Sequence, residues 1–315
     1  MPEDWATADS LQSFGQVETS EPLYPGGKSI ALDASGDLAL VGGSDGIAGV
    51  YSLSQHQVLH ALKGGARITD TLWSGARAVL STAAGSVKLF DKATETASFS
   101  AHAGEVTALA LHPSGEILAS VGVDKSYVLY DLVSSAPITQ IYTNSCKLFC
   151  YHLLEPTQLT AGIALTSAGF HPDGHLFATG GADGQVKVFD VKSGSNAANF
   201  ESSGPIQALS FSENGTWLAV VVKGQTSVTI WDLRKAAPTK VLEIGSQVEC
   251  IRWDYTGQFL VAAGRSGLAV QQYSKAAKEW SEPSRSAVPA VGVEWGPRAQ
   301  SLVSVSADGV LTVLG

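Results

Sequence analysis

Residues Phe170-His-Pro-Asp-Gly-His-Leu-Phe-Ala-Thr-Gly-Gly-Ala-Asp-Gly-Gln-Val-Lys-Val-Phe-Asp190 restate Leu111-His-Pro-Ser-Gly-Glu-Ile-Leu-Ala-Ser-Val-Gly-Val-Asp-Lys-Ser-Tyr-Val-Leu-Tyr-Asp131 almost position for position. Each copy reads as an apolar run, a polar turn, a second run, an Asp-containing turn and a third run with alternating apolar residues, the pattern of paired strands. A further copy ends at Val228-Thr-Ile-Trp-Asp232. Aligned on the second turn, the unit recurs at Asp45, Ala84, Asp124, Asp183, Gln225, Ser266 and Asp308, with spacings of 39, 40, 59, 42, 41 and 42 residues. No such unit can bury both its faces alone, so the chain must stack its copies against one another.

A period near 40–45 residues with four strands per unit, the third closing on Trp-Asp, is the pattern of a WD-repeat β-propeller blade. The fold expected is all-β, a single propeller of seven blades over residues 1–315. The third strand of the last unit, Gly309-Val-Leu-Thr-Val-Leu-Gly315, has no sequence after it to form a fourth. Residues 11–18, Leu11-Gln-Ser-Phe-Gly-Gln-Val-Glu18, alternate enough to supply that strand and clasp the ring, removing an open sheet edge. Residues 1–10 then read as a flexible lead. Within the repeat, a hydroxyl four residues before the marker Asp can share a hydrogen-bond network with the turn: Ser120 with Asp124, Thr179 with Asp183, Ser304 with Asp308. His102 and Tyr130 complete such a network in the third blade, and Asp45 marks the corresponding turn of the first.

Lys and Arg total 20 against 29 Asp and Glu, a net charge of −9, so bulk attraction to phosphate or anionic lipid is excluded and any nucleic-acid contact is local. No apolar run approaches the roughly 18 residues of a membrane helix. The acidic start Met1-Pro-Glu-Asp-Trp5 lacks the features of a secretory signal, and three cysteines give no disulfide framework, so a reducing intracellular compartment is expected.

Several motifs imitate chemistry. Gly42-Gly-Ser44-Asp-Gly46 matches a nucleophile elbow, but a strand follows where a helix is required, and equivalent turns carry Ala in place of Ser44. Gly27-Lys28-Ser29 lacks the upstream Gly of a phosphate-binding loop. His112 and His171 belong to repeated His-Pro turns and read as turn chemistry. Asn214-Gly-Thr216 is a sequon in form, yet fills the same turn. Cys146, Cys150 and His152 fall short of a zinc set, and Cys250 reads as core. No catalytic residue, cofactor or metal is assigned. The repeat positions nearest the ring axis read mostly as Ala, Val, Leu and Ser, which disfavours an enzyme working in the channel. The residues proposed for partner contact are Arg234, Lys235, Trp217, Arg252 and Arg265, with Arg285 among the other basic residues of solvated loops. Trp5, Trp73, Trp253, Trp280 and Trp295 divide between blade packing and contact.

Phe170-His-Pro-Asp-Gly174, Asn196-Ala-Ala-Asn-Phe200, and Phe211-Ser-Glu-Asn-Gly215 running into Trp231-Asp-Leu-Arg-Lys235 resemble the C-terminal propeller of the pre-mRNA-processing factor nineteen family, spliceosomal U-box ubiquitin ligases. The resemblance runs from about Leu11 to the end. It implies a non-catalytic platform in the nucleus that docks proteins of a splicing complex, an RNA-associated partner among them, with no membrane contact. In that family a U-box recruits the conjugating enzyme and a coiled coil forms a tetramer. The resemblance places neither in these residues, so the chain alone is expected to be a monomer without ligase activity. A WD-repeat scaffold or ligase adaptor outside splicing, or a channel-based enzyme, is the alternative. The sequence departs from the family at residues 143–162, which produce the spacing of 59 and read either as an inserted inter-blade loop or as a retained intron translated in frame.

Overall fold

Polar turns cut the chain into apolar runs of four to eight residues, too short for stable helices and joined closely enough to pair as antiparallel neighbours. The computed structural model describes residues 16–23, 26–27, 29–142 and 163–315. They form seven antiparallel sheets. Blade 1 comprises Ser29–Leu32, Leu38–Gly42, Ile47–Ser52 and Gln57–Lys63; blade 2, Ile68–Ser74, Arg77–Thr82, Val87–Asp91 and Thr94–Phe99; blade 3, Val106–Leu111, Ile117–Gly122, Ser126–Asp131 and Ala136–Tyr142. Blade 4 comprises Leu165–Phe170, Leu176–Gly181, Gln185–Asp190 and Asn196–Glu201; blade 5, Ile206–Phe211, Trp217–Val222, Ser227–Asp232 and Ala237–Glu243. Blade 6 has Cys250–Trp253, Phe259–Gly264 and Gly267–Ser274, and its outer edge is split into Glu279–Trp280 and Ser284–Ser286, both paired to the third strand. Pro283 lies in the gap, where its missing N–H is harmless.

Blade 7 has Gly292–Trp295, Leu302–Val305 and Leu311–Leu314, and Gln16–Thr19 is its fourth strand, paired Gln16 to Leu314 and Thr19 to Thr312. The clasp continues beyond the strand: the Ser20 N–H donates to Leu311 O at 2.9 Å and the Leu23 N–H to Gly309 O at 3.0 Å. The strand ends one residue later than the sequence suggests, and residues 11–15 of the expected clasp, like the lead at 1–10 and the insertion at 143–162, lie outside the described residues.

First strands of successive blades are neighbours around a closed cycle and line the central channel. Second and third strands are nearly wholly buried, whereas fourth strands such as Gln57–Lys63 face solvent. The core consists of seven apolar clusters, one at each blade interface. The period of two explains this division: along Phe259–Gly264, Leu260 and Ala262 pack toward blade 5, while Phe259, Val261 and Ala263 pack toward blade 7. Both faces of a middle strand are therefore apolar, and its sequence reads as a nearly continuous hydrophobic run.

Alternating strand direction also sorts the connections. One face of the ring, the turn face, carries the turns joining first to second and third to fourth strands. The opposite link face carries the second-to-third turns and the links between blades.

Candidate functional site

On the link face, the third blade assembles a buried polar chain from three segments. His102 arrives on the link from blade 2, Ser120 on the second strand, and Asp124 in the turn that follows. His102 Nδ1 lies 3.0 Å from Asp124 Oδ1 and its Nε2 2.7 Å from Ser120 Oγ, which is in turn 3.0 Å from the Tyr130 hydroxyl. Asp124 also accepts from the Ala103 N–H at 3.0 Å and the Ser126 hydroxyl at 2.9 Å, and Gln140 Nε2 donates to Ser126 Oγ at 3.0 Å. Burial alone would raise the Asp124 carboxyl, but His102, the Ala103 N–H and Ser126 together hold it below its ordinary value.

Other marker turns are simpler. Asp45 and Asp183 are exposed and each accepts the backbone N–H two residues on, Ile47 at 3.1 Å and Gln185 at 3.0 Å. Thr179 is buried with its Oγ1 unpartnered, and Ser304 donates to Thr312 O at 3.4 Å while Asp308 stays exposed. The difference is the histidine: the described residues of the links preceding blades 1 and 7, 20–23, 26–27 and 287–291, hold none to bridge the turn to the second strand.

The turn face is clamped from blade to blade. His112 Nε2 meets Gly174 O at 3.1 Å, and His171 Nε2 meets Gly215 O at 2.9 Å. The Trp73 indole N–H donates to Ala31 O at 3.3 Å, Trp253 to Ser210 O at 3.2 Å, and Trp295 to Arg252 O at 3.1 Å. These histidines and tryptophans thus bridge neighbouring blades.

The five residues proposed for partner contact do not share one surface. Arg234 and Lys235 occupy the third-to-fourth turn of blade 5 on the turn face, with side chains 77% and 73% exposed and only long 3.9 Å contacts to Asp232. Trp217, half-buried on the same face, packs against Trp253, Trp280 and Tyr273, with ring centroids 4.6–6.0 Å away. Arg265 lies on the link face and pairs with Glu249 at 2.9 Å. Arg252 is not on a loop at all: it stands on the first strand of blade 6, in the channel wall. Arg285 donates to Ile244 O at 3.1 Å.

The channel differs from the sequence-based expectation of small and apolar residues, because three of its first strands carry charge. Arg252 Nε donates to Glu294 Oε2 of blade 7 at 3.2 Å and interacts electrostatically with Asp70 of blade 2. Asp70 accepts the Leu109 N–H at 2.8 Å and the Thr71 N–H at 2.9 Å, the place taken in blade 4 by Ser167, whose hydroxyl accepts the Leu209 N–H. Burial raises the carboxyls of both Asp70 and Glu294, Arg252 opposing it in each case. Burial also works against the guanidinium charge, but Glu294 and Asp70 outweigh it and raise the Arg252 pKa. The Cys250 thiol beside them is pushed up to about 12 by burial, which keeps it protonated and unreactive. Cys146, Cys150 and His152 lie outside the described residues, and no group of three or more metal-binding side chains occurs among those described.

At the turn-face mouth of this channel lies a pocket of about 290 Å³, spanning blades 5, 6, 7 and 1 and lined by Glu213, Trp253, Tyr255, Glu294, Trp295 and Arg298 with the Leu32–Ala34 turn and Gly296-Pro297. Neither its carboxylates nor the channel charges are evident from the repeat pattern.

With this geometry in view, comparison with known proteins is informative. The family description "WD domain, G-beta repeat" matches residues 93–131 and 155–190, which include the blade with the His102 network. The chain is a seven-bladed WD-repeat propeller. This WD-repeat chain is 29% identical over its whole length to "Pre-mRNA-processing factor 19 homolog 2" of Arabidopsis thaliana and 31% identical over 87% of its length to "Pre-mRNA-processing factor 19" of Dictyostelium discoideum. It spans 60% and 53% of those relatives' own lengths. A second family description, "Eukaryotic translation initiation factor eIF2A", matches residues 184–313, less than half of the propeller, whereas the Arabidopsis relative matches it throughout. A chain in a solved structure titled "Crystal Structure of Mitotic Checkpoint Complex" superposes with a TM-score of 0.80 over 96% of this chain and 92% of its own, at 14% identity, which speaks to the fold alone.

Proposed function

We propose that this WD-repeat propeller is a non-catalytic docking platform within a nuclear pre-mRNA-processing assembly, and that its partners are proteins of that assembly. The observation that carries this reading is similarity to proteins named pre-mRNA-processing factor 19 along the whole ring, at a level that generic propeller architecture does not demand. Architecture agrees: interlocked apolar interfaces hold two faces of fixed turns and links, a rigid scaffold for recognition. Arg234 and Lys235 are exposed cations of the turn face and Arg265 of the link face, so partner segments engaging them approach from opposite sides. Ligase activity, in this reading, belongs to the remainder of the relatives' length.

A pull-down from nuclear extract with this chain as bait, an unrelated WD propeller as control and a mass-spectrometric readout tests the proposal. Splicing proteins should be enriched, and the double variant R234E/K235E should lose the subset bound on the turn face. Recovery of the same proteins by both propellers would remove the splicing assignment while leaving the fold untouched.

A further inference from the structure

The pocket at the turn-face mouth has fixed walls. The indole N–H groups of Trp253 and Trp295 are both tied to carbonyls of the preceding blade, at 3.2 and 3.1 Å, so the two rings are held before anything binds. Tyr255, in the first-to-second turn of blade 6, stands beside them 50% exposed. Against three carboxylates, Asp33, Glu213 and Glu294, the lining holds one cation, Arg298, whose exposed side chain sits on a left-handed backbone with φ of 56°.

The carboxylates are not equivalent. Asp33 is consumed by its own turn, accepting from the Ser35 hydroxyl at 2.7 Å and the Leu38 N–H at 2.9 Å. Glu294 is paired with Arg252. Glu213 makes no ion pair or side-chain hydrogen bond among the described residues. Burial, with repulsion from Asp254, raises its carboxyl, the signature of a negative site that lacks its counter-ion.

We propose that this pocket receives an arginine side chain from a partner polypeptide, with Glu213 as its counter-ion and the Trp295 and Tyr255 rings as the surfaces on which the guanidinium packs. Charge selects the class: an excess of carboxylate repels phosphate and acidic peptides and attracts a cation. Aromatic walls select arginine over lysine, because a planar guanidinium stacks on rings while still bridging a carboxylate. Size agrees with a single side chain, since the cavity of about 290 Å³ is at the small end of ligand pockets. The inference rests on the docking reading only in making the occupant part of a protein.

The test is a fluorescence-anisotropy titration of this chain with a labelled, amidated serine-glycine-arginine-glycine-serine peptide, and with the same peptide carrying citrulline, which keeps the shape and removes the charge. The arginine peptide should bind about tenfold more tightly than the citrulline peptide, and E213Q should abolish that difference, as loss of one charge-assisted pair predicts. Y255A should weaken binding and Y255F retain it, while K223E on the link face should leave binding unchanged. Equal affinity for the two peptides, full binding by E213Q, or no detectable binding at millimolar chain concentration would each overturn the proposal. A chain that recovers splicing proteins from extract yet ignores the arginine peptide retains the docking reading and refutes this one.

Discussion

Replacing Asp124 by Ala probes whether the third-blade network stabilises the ring. The carboxylate accepts from His102 Nδ1 at 3.0 Å, the Ala103 N–H at 3.0 Å, and Ser126 through its N–H at 3.2 Å and hydroxyl at 2.9 Å. After truncation, Ser126 Oγ keeps Gln140 and His102 Nε2 keeps Ser120, so the Ala103 and Ser126 N–H groups lose their acceptor and His102 Nδ1 keeps only its 3.3 Å contact with Ser126 Oγ. The imidazole is fully enclosed, with 0% side-chain exposure, and water cannot replace the lost acceptor. Stranding a buried donor costs about 1–3 kcal/mol, and relief of the carboxylate's own desolvation offsets part of the sum, leaving a net loss of about 2–3 kcal/mol. With an unfolding entropy of about 2.1 cal/mol/K per residue, a chain of this length loses about 1.5 °C in Tm per kcal/mol, so the variant should melt about 3–5 °C below wild type at pH 7 in differential scanning calorimetry. The pH dependence supplies a sign check. The folded carboxyl titrates below its ordinary value of 3.8, so its stabilisation is complete above the unfolded pKa and disappears as pH falls through the lower folded one. The gap between wild type and D124A should therefore close below about pH 4. A Tm unchanged at pH 7, or a gap that persists in acid, would refute the role assigned to the network.

Removing residues 1–20 deletes the strand Gln16–Thr19 and the Ser20 contacts that close blade 7. The truncated chain should show early trypsin cleavage and a broadened melt where the full chain melts in one step. Gly174 has φ of +77°, and a Cβ there would collide with His112 Nε2, so G174A should cost about 2–3 kcal/mol by urea unfolding, against about 1 kcal/mol or less for G75A, at φ of +59° with open space around it. Asp70 has a raised folded pKa, so its ionised form opposes folding at neutral pH. D70N should match or slightly exceed wild-type Tm at pH 7 and lose that advantage as pH falls through the carboxyl's raised pKa, measured by thermal melts from pH 7 to 3.5.

The blades were legible in the sequence because turn chemistry is local. His-Pro-Asp-Gly and Ala-Asp-Gly fix a strand, a turn and the next strand within a few residues, and the repetition multiplies the signal. The third-blade network was legible for the same reason: His102, Ser120, Asp124 and Tyr130 sit at set offsets within one repeat. The channel was not. Counting alternation back from the turns fails in the first strands of blades 2 to 5 because the pairing register shifts near their starts, between Ile68 and Asp70, Val106 and Ala108, Leu165 and Ser167, and Ile206 and Ala208. One unpaired residue at each bulge reverses the parity on which any inside-or-outside assignment depends. Asp70 follows such a bulge, whereas Arg252 and Glu294 stand on first strands that pair without one, and nothing in the repeat pattern marks either as a channel charge. Trp217 escaped for a different reason: its neighbours Trp253, Tyr273 and Trp280 come from another blade, and no local pattern brings them together.

The pocket and the clasp are mechanically connected. Its lining draws Trp295, Pro297 and Arg298 from blade 7 and Leu32 to Ala34 from blade 1, the two blades whose interface exists only while the ring is closed. Pro297 already packs over Gly36 of blade 1, so the pocket floor is itself part of the seam. An occupant that touches both sides binds the closed ring and not the opened one. By linkage it must stabilise closure, by about 2.7 kcal/mol at a concentration one hundred times its Kd. At about 1.5 °C per kcal/mol, this is a Tm increase of about 4 °C on addition of the arginine peptide, and about 2 °C with the tenfold weaker citrulline peptide at the same concentration. In the chain lacking residues 1–20 the same peptide should bind more weakly, because part of its binding energy is then spent closing the seam. Equal affinity for the truncated and full chains would show that the pocket forms without the clasp and would break this connection.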